Sequence, residues 1–484
     1  MDQTVTMPKT VDAAARKLTH GPLAWAVGKF GLPLVVGMIL HTAFNLVDMF
    51  MISRLPNSGP GLAALGICDM VTAVATILSN GISTATVAVI SRRLGANDSV
   101  GVQRAAWQSL VLVAGFSLVF GLVGVFGHDF VIRTVMQAKG ETADVASRYL
   151  QVLMGGCFSI FFLLQLTAIL RAQGHAKSAA FLLILGNLIN LALNFLLIYG
   201  EGPSPAGFEW AQPIARALHV PRMEVQGAAW STLIGRTIPC IIGALLIGLS
   251  RRGPKFRLAL LKPMWVELRN ILQIGWPSSA QFVLRVMAIL VFISLINANY
   301  TTVDNQSALV AYSICLRLET MALFIGMGWG AAASSFVGVN IGAGLHARAK
   351  RAGYIAAAYN VAFMLVLGIA YLVWSKQIIG FFDESPEVLR VGRQYLLRVG
   401  LSYAALGVGV VLSQAMTGAG ETLASLIIDA VAIVGLTLPA TYLVAETFGA
   451  PYTIMFWTIA ASNVLAAAAF LFYYARGHFL EKKL

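Results

Sequence analysis

Charged residues are scarce in this chain of 484 residues, in which Asp, Glu, Lys and Arg together account for 11%. Because a soluble domain carries about 25% charged residues, most of the chain must lie where charge is costly. Cysteine is also rare, and Cys68, Cys157, Cys240 and Cys315 each stand alone in an apolar stretch. The absence of CxxC or Cys/His spacing argues against a disulfide framework and a zinc site, and no cofactor is expected.

The motifs of nucleotide-driven and enzymatic chemistry are also missing. No GxxxxGK[ST] occurs, and the glycine-rich run 326–330 lies inside an apolar segment with no preceding strand. In lipid, such small residues allow helices to pack closely. No HExxH, GxSxG with partners or acidic metal motif is present. We therefore expect a protein that is not an enzyme and that draws any transport energy from an ion gradient or a partner.

Long apolar segments are what the chain has in abundance, since 58% of its residues are hydrophobic. Each of twelve segments has roughly the 20 residues needed to cross a ~30 Å hydrocarbon layer. They lie at 30–54, 62–90, 105–127, 149–170, 179–199, 227–249, 271–297, 308–335, 353–374, 395–416, 424–446 and 453–475. The sequence therefore predicts an all-α polytopic protein with twelve transmembrane helices in contact with the lipid bilayer.

The second half of the chain repeats the first at an offset of about 245 residues, which indicates a duplicated unit. The matching pairs are Gly31-Leu32-Pro33 with Gly275-Trp276-Pro277, Ile67-Cys68 with Ile314-Cys315, Leu94-Gly95-Ala96 with Ile341-Gly342-Ala343, Arg148-Tyr149-Leu150 with Gln394-Tyr395-Leu396, and Ala172-Gln173-Gly174 with Gly418-Ala419-Gly420. Six spans per copy is an even number, so both copies enter the membrane from the same side. We expect two six-helix lobes related by a pseudo-two-fold axis along the membrane normal.

Basic residues are concentrated in the loops on one side of this arrangement. The net charge is +13, and Lys and Arg are enriched in the alternate loops that share a side with both termini. This is the positive-inside signature, which places both termini in the cytoplasm, and no nucleic-acid partner is expected. The predicted parts are an N-terminal cytoplasmic segment (1–29), an N-terminal lobe (30–250), a basic cytoplasmic linker (251–270), a C-terminal lobe (271–475) and a cytoplasmic tail (476–484).

The first span contains an acidic residue, Asp48, whose presence within the membrane requires a physical explanation. An ionisable residue within a span costs about 2.5–3.5 kcal/mol on insertion scales. Asp48 follows Asn45 on the same helix face, and Pro33 earlier in the span permits a kink. Oxygen-bearing side chains at a comparable depth are Asn190 and Asn194 of the fifth span and Thr232 of the sixth.

Carboxylate, amide and hydroxyl oxygens suit a hard monovalent cation such as Na⁺, and a desolvated carboxyl group can carry a proton near neutral pH. We therefore predict that Asp48, Asn190, Asn194 and Thr232 form a site for H⁺ or Na⁺, with Pro33 as the hinge of the first helix. Two alternatives stay open: Asp48 pairs with a basic side chain, and the amides and hydroxyl only bridge helices.

Other polar residues also fall within spans. Arg285, Arg317 and Glu319 can neutralise one another inside the second lobe, and we favour this structural pairing. A weaker prediction places a set of polar side chains on the wall of a cavity. That set is Asn45, Asp69, Gln165, Arg285, Glu319, Gln414 and Asp429.

Over residues 25–475, the chain resembles the multidrug and toxic compound extrusion (MATE) family. The resemblance is carried by Asn45-Leu46-Val47-Asp48, Ser91-Arg92-Arg93-Leu94-Gly95-Ala96, Ile169-Leu170-Arg171-Ala172-Gln173-Gly174, Gln226-Gly227-Ala228-Ala229, Ser413-Gln414-Ala415-Met416-Thr417-Gly418-Ala419-Gly420 and Leu438-Pro439-Ala440-Thr441-Tyr442-Leu443. It implies an antiporter of the bacterial inner (plasma) membrane. In such a protein, inward flow of H⁺ or Na⁺ drives export of small amphipathic, often cationic, compounds by alternating access of two lobes.

The resemblance assigns the coupling role to Asp48, with Asn190, Asn194 and Thr232 as its partners. Some relatives have an aspartate in place of Asn194, so H⁺ is favoured over Na⁺ here. Arg285 stands where some relatives have a glutamate, so a zwitterionic, neutral or anionic cargo stays open. A monomer is expected. The alternative function is a flippase for lipid-linked saccharides or other lipids, for which Arg285 and Arg317 are the hints.

Overall fold

The computed structural model describes residues 13–55, 58–205, 207–249, 262–302, 305–447, 449 and 451–482, and only the backbone of 13–14, 43–46, 249 and 447. Most of the predicted linker, including its arginines at 251, 252 and 257, lies outside these residues. Within the described ranges the chain is helical and contains no strand. The first half contains α1 Ala13–Thr19, α2 Leu23–Ser53, α3 Ser58–Gly95, α4 Ser99–Phe126, α5 Gly140–Gly155, α6 Phe158–Ala172, α7 Ala176–Leu197, α8 Gln212–Ala217 and α9 Glu224–Leu249.

The second half repeats this pattern of long helices. It contains α10 Trp265–Tyr300, α11 Ser307–Gly342, α12 His346–Gly380, α13 Pro386–Val399, α14 Tyr403–Gly418, α15 Thr422–Ala430, α16 Leu438–Tyr442 and α17 Tyr452–Arg476. Two π-helical turns, Val431–Thr437 and Leu443–Thr447, flank α16. A proline at position 439 removes a backbone donor here, which favours such a change of hydrogen-bond register.

The predicted all-α polytopic organisation is confirmed, and the described chain has eleven to twelve candidate spans against the twelve predicted. By length and composition, eleven segments of the described chain can each cross a membrane, and α5 with α6, bent by 41° at their junction, makes the twelfth. Several helices exceed the predicted bounds, since α2 begins at Leu23 and α3 continues to Gly95. Their polar ends, such as Arg92 and Arg93 of α3, can extend into the headgroup region. The N-terminal lobe (α2–α9) and the C-terminal lobe (α10–α17) form the predicted two-lobed bundle.

The pseudo-two-fold axis passes between the ends of α3 and α11. A Cβ atom added to Gly95 would overlap the backbone of Val339, and one added to Gly342 would overlap the carbonyl of Arg92. Gly95 and Gly342 are repeat partners, as are Arg92 and Val339, so the two contacts are equivalent. Only glycine permits this backbone approach. The lobes are therefore closed against each other at the end of the bundle where α2 begins and α17 ends, called here the terminal face.

The first helix of the N-terminal lobe is shared between the lobes. Near its beginning, the Ala24 carbonyl accepts a 3.2 Å hydrogen bond from Tyr359 of α12, in the opposite lobe. Near its end, the Met51 carbonyl accepts a 2.7 Å hydrogen bond from Tyr199 of its own lobe. Pro33 lies between these two regions, within a helix that continues through it.

The equivalent helix of the C-terminal lobe, α10, is shared in the same way. At its beginning, Glu267 forms a 2.7 Å ion pair with Arg93 of α3, and Ser279 donates to the Ile77 carbonyl at 3.3 Å. Near its end, the Asn299 side chain donates to the Glu446 carboxylate of its own lobe at 2.9 Å. Pro277, the repeat partner of Pro33, lies in the part that packs on α3. Any movement of one lobe against the other must therefore be absorbed within α2 and α10.

We predict that Gly342→Val separates the lobes at the terminal face, because the added methyl groups collide with the Arg92 carbonyl. A cysteine introduced at Ser91, which is buried against Gly338, reports this separation. It should react with a water-soluble maleimide much faster in the Gly342→Val background than without that change.

The matched control is Gly66→Val, because a Cβ at Gly66 meets no atom within 4 Å. Equally slow labelling with Gly342→Val and with Gly66→Val would show that these glycines do not close the terminal face.

Candidate functional site

The N-terminal lobe contains a cluster of hydrogen bonds around Asp48 of α2. Asn194 of α7 donates its side-chain N–H to Asp48 Oδ1. Asn190, one helical turn earlier on the same face of α7, donates to the same oxygen at 3.1 Å when its amide nitrogen faces the carboxylate. Two amide donors from one helix thus hold the acid of another.

Helix α9 fixes the orientation of both amides. The Asn190 oxygen accepts from the Thr232 backbone N–H at 3.2 Å and from its hydroxyl at 3.1 Å. The hydroxyl of Ser231 donates to the Asn194 oxygen. Each amide therefore presents its nitrogen to Asp48 and its oxygen to α9. The four residues predicted from their similar depth lie together at one place.

Close approach of α7 and α9 makes this geometry possible. A Cβ atom added to Gly186 would lie 2.8 Å from the Gly235 carbonyl, and one added to Gly235 would lie 2.9 Å from the Asn190 Cβ. Two glycines facing each other allow the helices to pack at backbone distance, as is common in lipid. The short side chains on both helices can then reach one another directly.

Asp48 has no ion-pair partner among the described residues, so the alternative of a pairing with a basic side chain is not supported. Arg236 of α9 does interact electrostatically with Asp48 and with Asp69 of α3. The Asp69 side chain is exposed. The cluster is therefore a carboxylate held by neutral donors, with one arginine at longer range.

Two members of the weaker cavity set need separate comment. The side chain of Asn45 lies outside the described residues. Gln165 is fully buried and donates to the Thr86 hydroxyl at 2.8 Å. Neither cavity described below includes it, and its place on a cavity wall stays a prediction.

The C-terminal lobe contains a different charged cluster. Arg285 of α10 forms a 3.4 Å ion pair with Asp429 of α15, whose side chain is 5% exposed. Glu319 of α11 accepts a 2.7 Å hydrogen bond from the Tyr395 hydroxyl. In lipid, a buried acid is retained when a charge or a strong donor satisfies it.

The predicted pairing of Glu319 with Arg317 is wrong. The exposed Arg317 points across to the N-terminal lobe, where its guanidinium lies 3.1 Å from the Met49 sulfur. Residues 317 and 319 are two positions apart and so point to different faces of α11. Arg285 interacts electrostatically with Glu319, but its direct partner is Asp429.

Two cavities meet at Arg285. The C-lobe cavity, about 150 Å³, is lined by Arg285, Glu319 and Asp429 together with Tyr312, Thr437 and Asn463. The interlobe cavity, about 40 Å³, is lined by Arg285 and Gln414 and also by Thr84 of the N-terminal lobe. Four members of the predicted set, Arg285, Glu319, Gln414 and Asp429, thus lie on cavity walls.

Comparison with known proteins identifies the family. The family model described as MatE matches residues 33–196 and 277–443, most of the two lobes. The chain belongs to the MatE family. The resemblance that the sequence motifs indicate is confirmed, and members of this family are transporters, not enzymes.

Relatives and solved MATE structures match along almost the whole chain. The chain is 25% identical over 471 residues to a probable multidrug resistance protein, YpnP, of Bacillus subtilis (97% of this chain, 99% of that protein). It is 25% identical over 429 residues to an FAD transporter of Shewanella oneidensis (87% and 88%). A solved structure described as the outward-facing conformation of a multidrug resistance MATE family transporter matches with a TM-score of 0.86 at 23% identity, covering 98% of this chain and 100% of that chain. These structural matches establish the MATE fold.

Sequence reasoning missed three residues of the two polar clusters, one in each lobe. Ser231 orients Asn194, Arg236 supplies the long-range charge, and Tyr395 donates to Glu319. Tyr395 had a signal in the sequence, because it recurs as the repeat partner of Tyr149. The only sequence signal for Ser231 was its position next to Thr232.

We predict that Arg285→Ala destabilises the transporter, by up to roughly 3 kcal/mol, because it leaves Asp429 buried without its cation. The double change Arg285→Ala with Asp429→Ala should recover much of this loss. Thermal unfolding in detergent measures both variants. A double variant no more stable than the single one would show that the ion pair is not the reason for the loss.

Proposed function

We propose that this protein is a secondary active antiporter that exports small amphipathic organic compounds in exchange for H⁺. The observation that carries the proposal is Asp48, a carboxylate inside a membrane span that is held by two neutral amides and has no ion-pair partner in the described residues. A membrane-embedded acid of this kind marks a proton or ion pathway by default. The relatives named for multidrug resistance support an organic cargo.

Protonation of Asp48 would change the contacts that hold α2. The Asn194 and Asn190 N–H groups donate to an ionised carboxylate, and such charge-assisted hydrogen bonds are roughly twice as strong as neutral ones. A proton on Asp48 removes that charge and occupies one of its acceptor sites. The outer half of α2 is then held less firmly against α7.

The hinge converts this local change into movement of the lobes. The beginning of α2 is tied to α12 of the opposite lobe, and its end is tied to its own lobe through Asp48 and Met51. Pro33 between them lacks the backbone donor that would stiffen the helix. A change at Asp48 can therefore alter the angle between the two halves of α2 and, with it, the packing of the lobes.

The proposed orientation places the terminal face in the cytoplasm of a bacterium, with the protein in the inner (plasma) membrane. The excess of Lys and Arg in loops on that side supports it, as do the bacterial relatives. The closed terminal face would then block the cytoplasmic path, in agreement with the likeness to an outward-facing MATE structure. Both lobes and the coupling site belong to one chain, which supports a functional monomer.

The orientation of the amides favours H⁺ over Na⁺. A sodium ion needs several oxygen ligands, and the oxygens of Asn190 and Asn194 both point toward α9. Their nitrogens face Asp48, which suits a carboxylate that exchanges a proton. Sodium binding would require both amides to turn.

The flippase alternative has less support. A carrier of lipid-linked saccharides is expected to have a strongly basic central cavity. Arg285 is the only basic residue on the described wall of the interlobe cavity. Arg317 lies elsewhere, against Met49.

We predict that Asp48→Asn abolishes export, because an asparagine side chain cannot gain or lose a proton at physiological pH. Purified protein is reconstituted in vesicles loaded with fluorescent amphiphiles of either charge, and pH and Na⁺ gradients are imposed separately. Wild-type efflux should follow the pH gradient, and the variant should match protein-free vesicles.

The control is Asp144→Asn, which removes an exposed carboxylate that pairs with Arg133 at the surface. Such an exposed ion pair contributes little to the free energy of unfolding. Normal gradient-driven efflux by Asp48→Asn would rule out Asp48 as the coupling residue.

We also predict that Asn194→Asp confers a response to sodium. A second carboxylate beside Asp48 adds an oxygen ligand and a negative charge, both of which a hard cation prefers. Efflux driven by a Na⁺ gradient alone should appear in this variant and be absent from Asn194→Ala. Equal sodium responses in the two variants would contradict the proposed geometry.

A further inference from the structure

We propose that the interlobe cavity binds an anionic group of the cargo, a carboxylate or a phosphate, with Arg285 as its cationic partner. This inference rests on the proposed export function and assigns a chemical class to its cargo. It differs from the cationic cargo that resemblance to the family implies.

The wall of the interlobe cavity contains hydrogen-bond donors and one positive charge. Besides Arg285, its polar lining consists of neutral hydroxyl and amide groups. These are Thr84, Ser278, Gln281, Ser413, Gln414 and Thr417. No carboxylate of the described chain lines it. Hydroxyl and amide donors around one guanidinium satisfy an anion well, whereas a cation there would meet a like charge with no acid beside it.

Arg285 has donors to spare for a ligand. A guanidinium carries five N–H donors. Within the described chain, the only acceptor bonded to Arg285 is Asp429, through one nitrogen at 3.4 Å. The side chain keeps 23% of its surface exposed and lines both cavities. The remaining N–H groups can therefore bind a carboxylate or phosphate with the two-pronged geometry that arginine favours.

The acids of the cluster lie on the far side of Arg285. Asp429 and Glu319 line the C-lobe cavity and do not line the interlobe cavity. The ion pair thus turns its positive end toward the interlobe cavity. Asp429 holds the guanidinium in place without occupying the space where an anion would bind.

The position and size of the cavity also fit a cargo group. Thr84 belongs to the N-terminal lobe and the other lining residues to the C-terminal lobe, so a bound group contacts both moving parts. A volume of about 40 Å³ admits a group the size of a carboxylate. The apolar side chains Phe282, Met327 and Val410 lie beside it and can contact the apolar body of an amphiphile.

The test measures efflux from proteoliposomes under an imposed pH gradient. The probes are carboxyfluorescein for a carboxylate, methylumbelliferyl phosphate for a phosphate, and ethidium for a cation. Wild-type protein should export at least one of the two anionic probes, and which one identifies the anionic group. The concentration giving half-maximal efflux of that probe should rise about tenfold or more when Arg285 is removed.

The main variant is Arg285→Gln with Asp429→Asn, because the paired change removes both members of the ion pair together. Arg285→Lys keeps the charge but loses the planar fork, so its effect should be intermediate. The control is Arg398→Gln, since Arg398 is another arginine in a span, donates to the Gln394 carbonyl and lines neither cavity. The control should keep the wild-type half-maximal concentration.

Efflux of ethidium alone, unaffected by the paired change, would overturn the anionic site and leave the export function standing. Equal weakening by the paired change and by Arg398→Gln would also overturn it, because the effect would not belong to the cavity. If wild-type protein moves none of the three probes and thus behaves like Asp48→Asn, the proposed function fails as well.

Discussion

The sharing of two helices between the lobes is the constraint on which the rest of the structure depends. Each lobe begins with a helix whose first part is bonded to the other lobe and whose end is bonded to its own. The two helices, α2 and α10, are repeat partners, and each contains a proline at the matching position. The lobes therefore cannot slide or rock as independent bodies, and a local change in either helix reaches both of them.

Lipid imposes a second requirement, because each polar group in a span must find its partner within the protein. The two lobes meet this requirement differently despite their common origin. Neutral amides hold the acid of the N-terminal lobe, while a guanidinium holds the acid of the C-terminal lobe. Neutral donors leave an acid free to exchange a proton, whereas an ion pair fixes both charges and orients them. In the proposed mechanism, one lobe of the duplicated fold couples transport to protons and the other recognises charge.

Much of this architecture was predictable from the chain alone. Twelve spans and a repeat follow from apolar length and recurring motifs, and the depth of Asp48, Asn190, Asn194 and Thr232 follows from helix rise. Depth along a helix does not give the direction of a side chain, so the pairing of Glu319 with Arg317 was wrong where only the helix face decides. The crossing of α2 and α10 between lobes depends on tertiary packing. No local pattern signals it beyond the paired prolines.

The central claim is that neutralising Asp48 changes how α2 joins the lobes. Spin labels at Ser53, at the end of α2, and at Gln306, just before α11, measure the separation of the lobes on the face opposite the termini. We expect the distance distribution to change between pH 8 and pH 5 in reconstituted protein, and to stay constant across pH in the Asp48→Asn variant. An identical pH response in the two proteins would contradict the account.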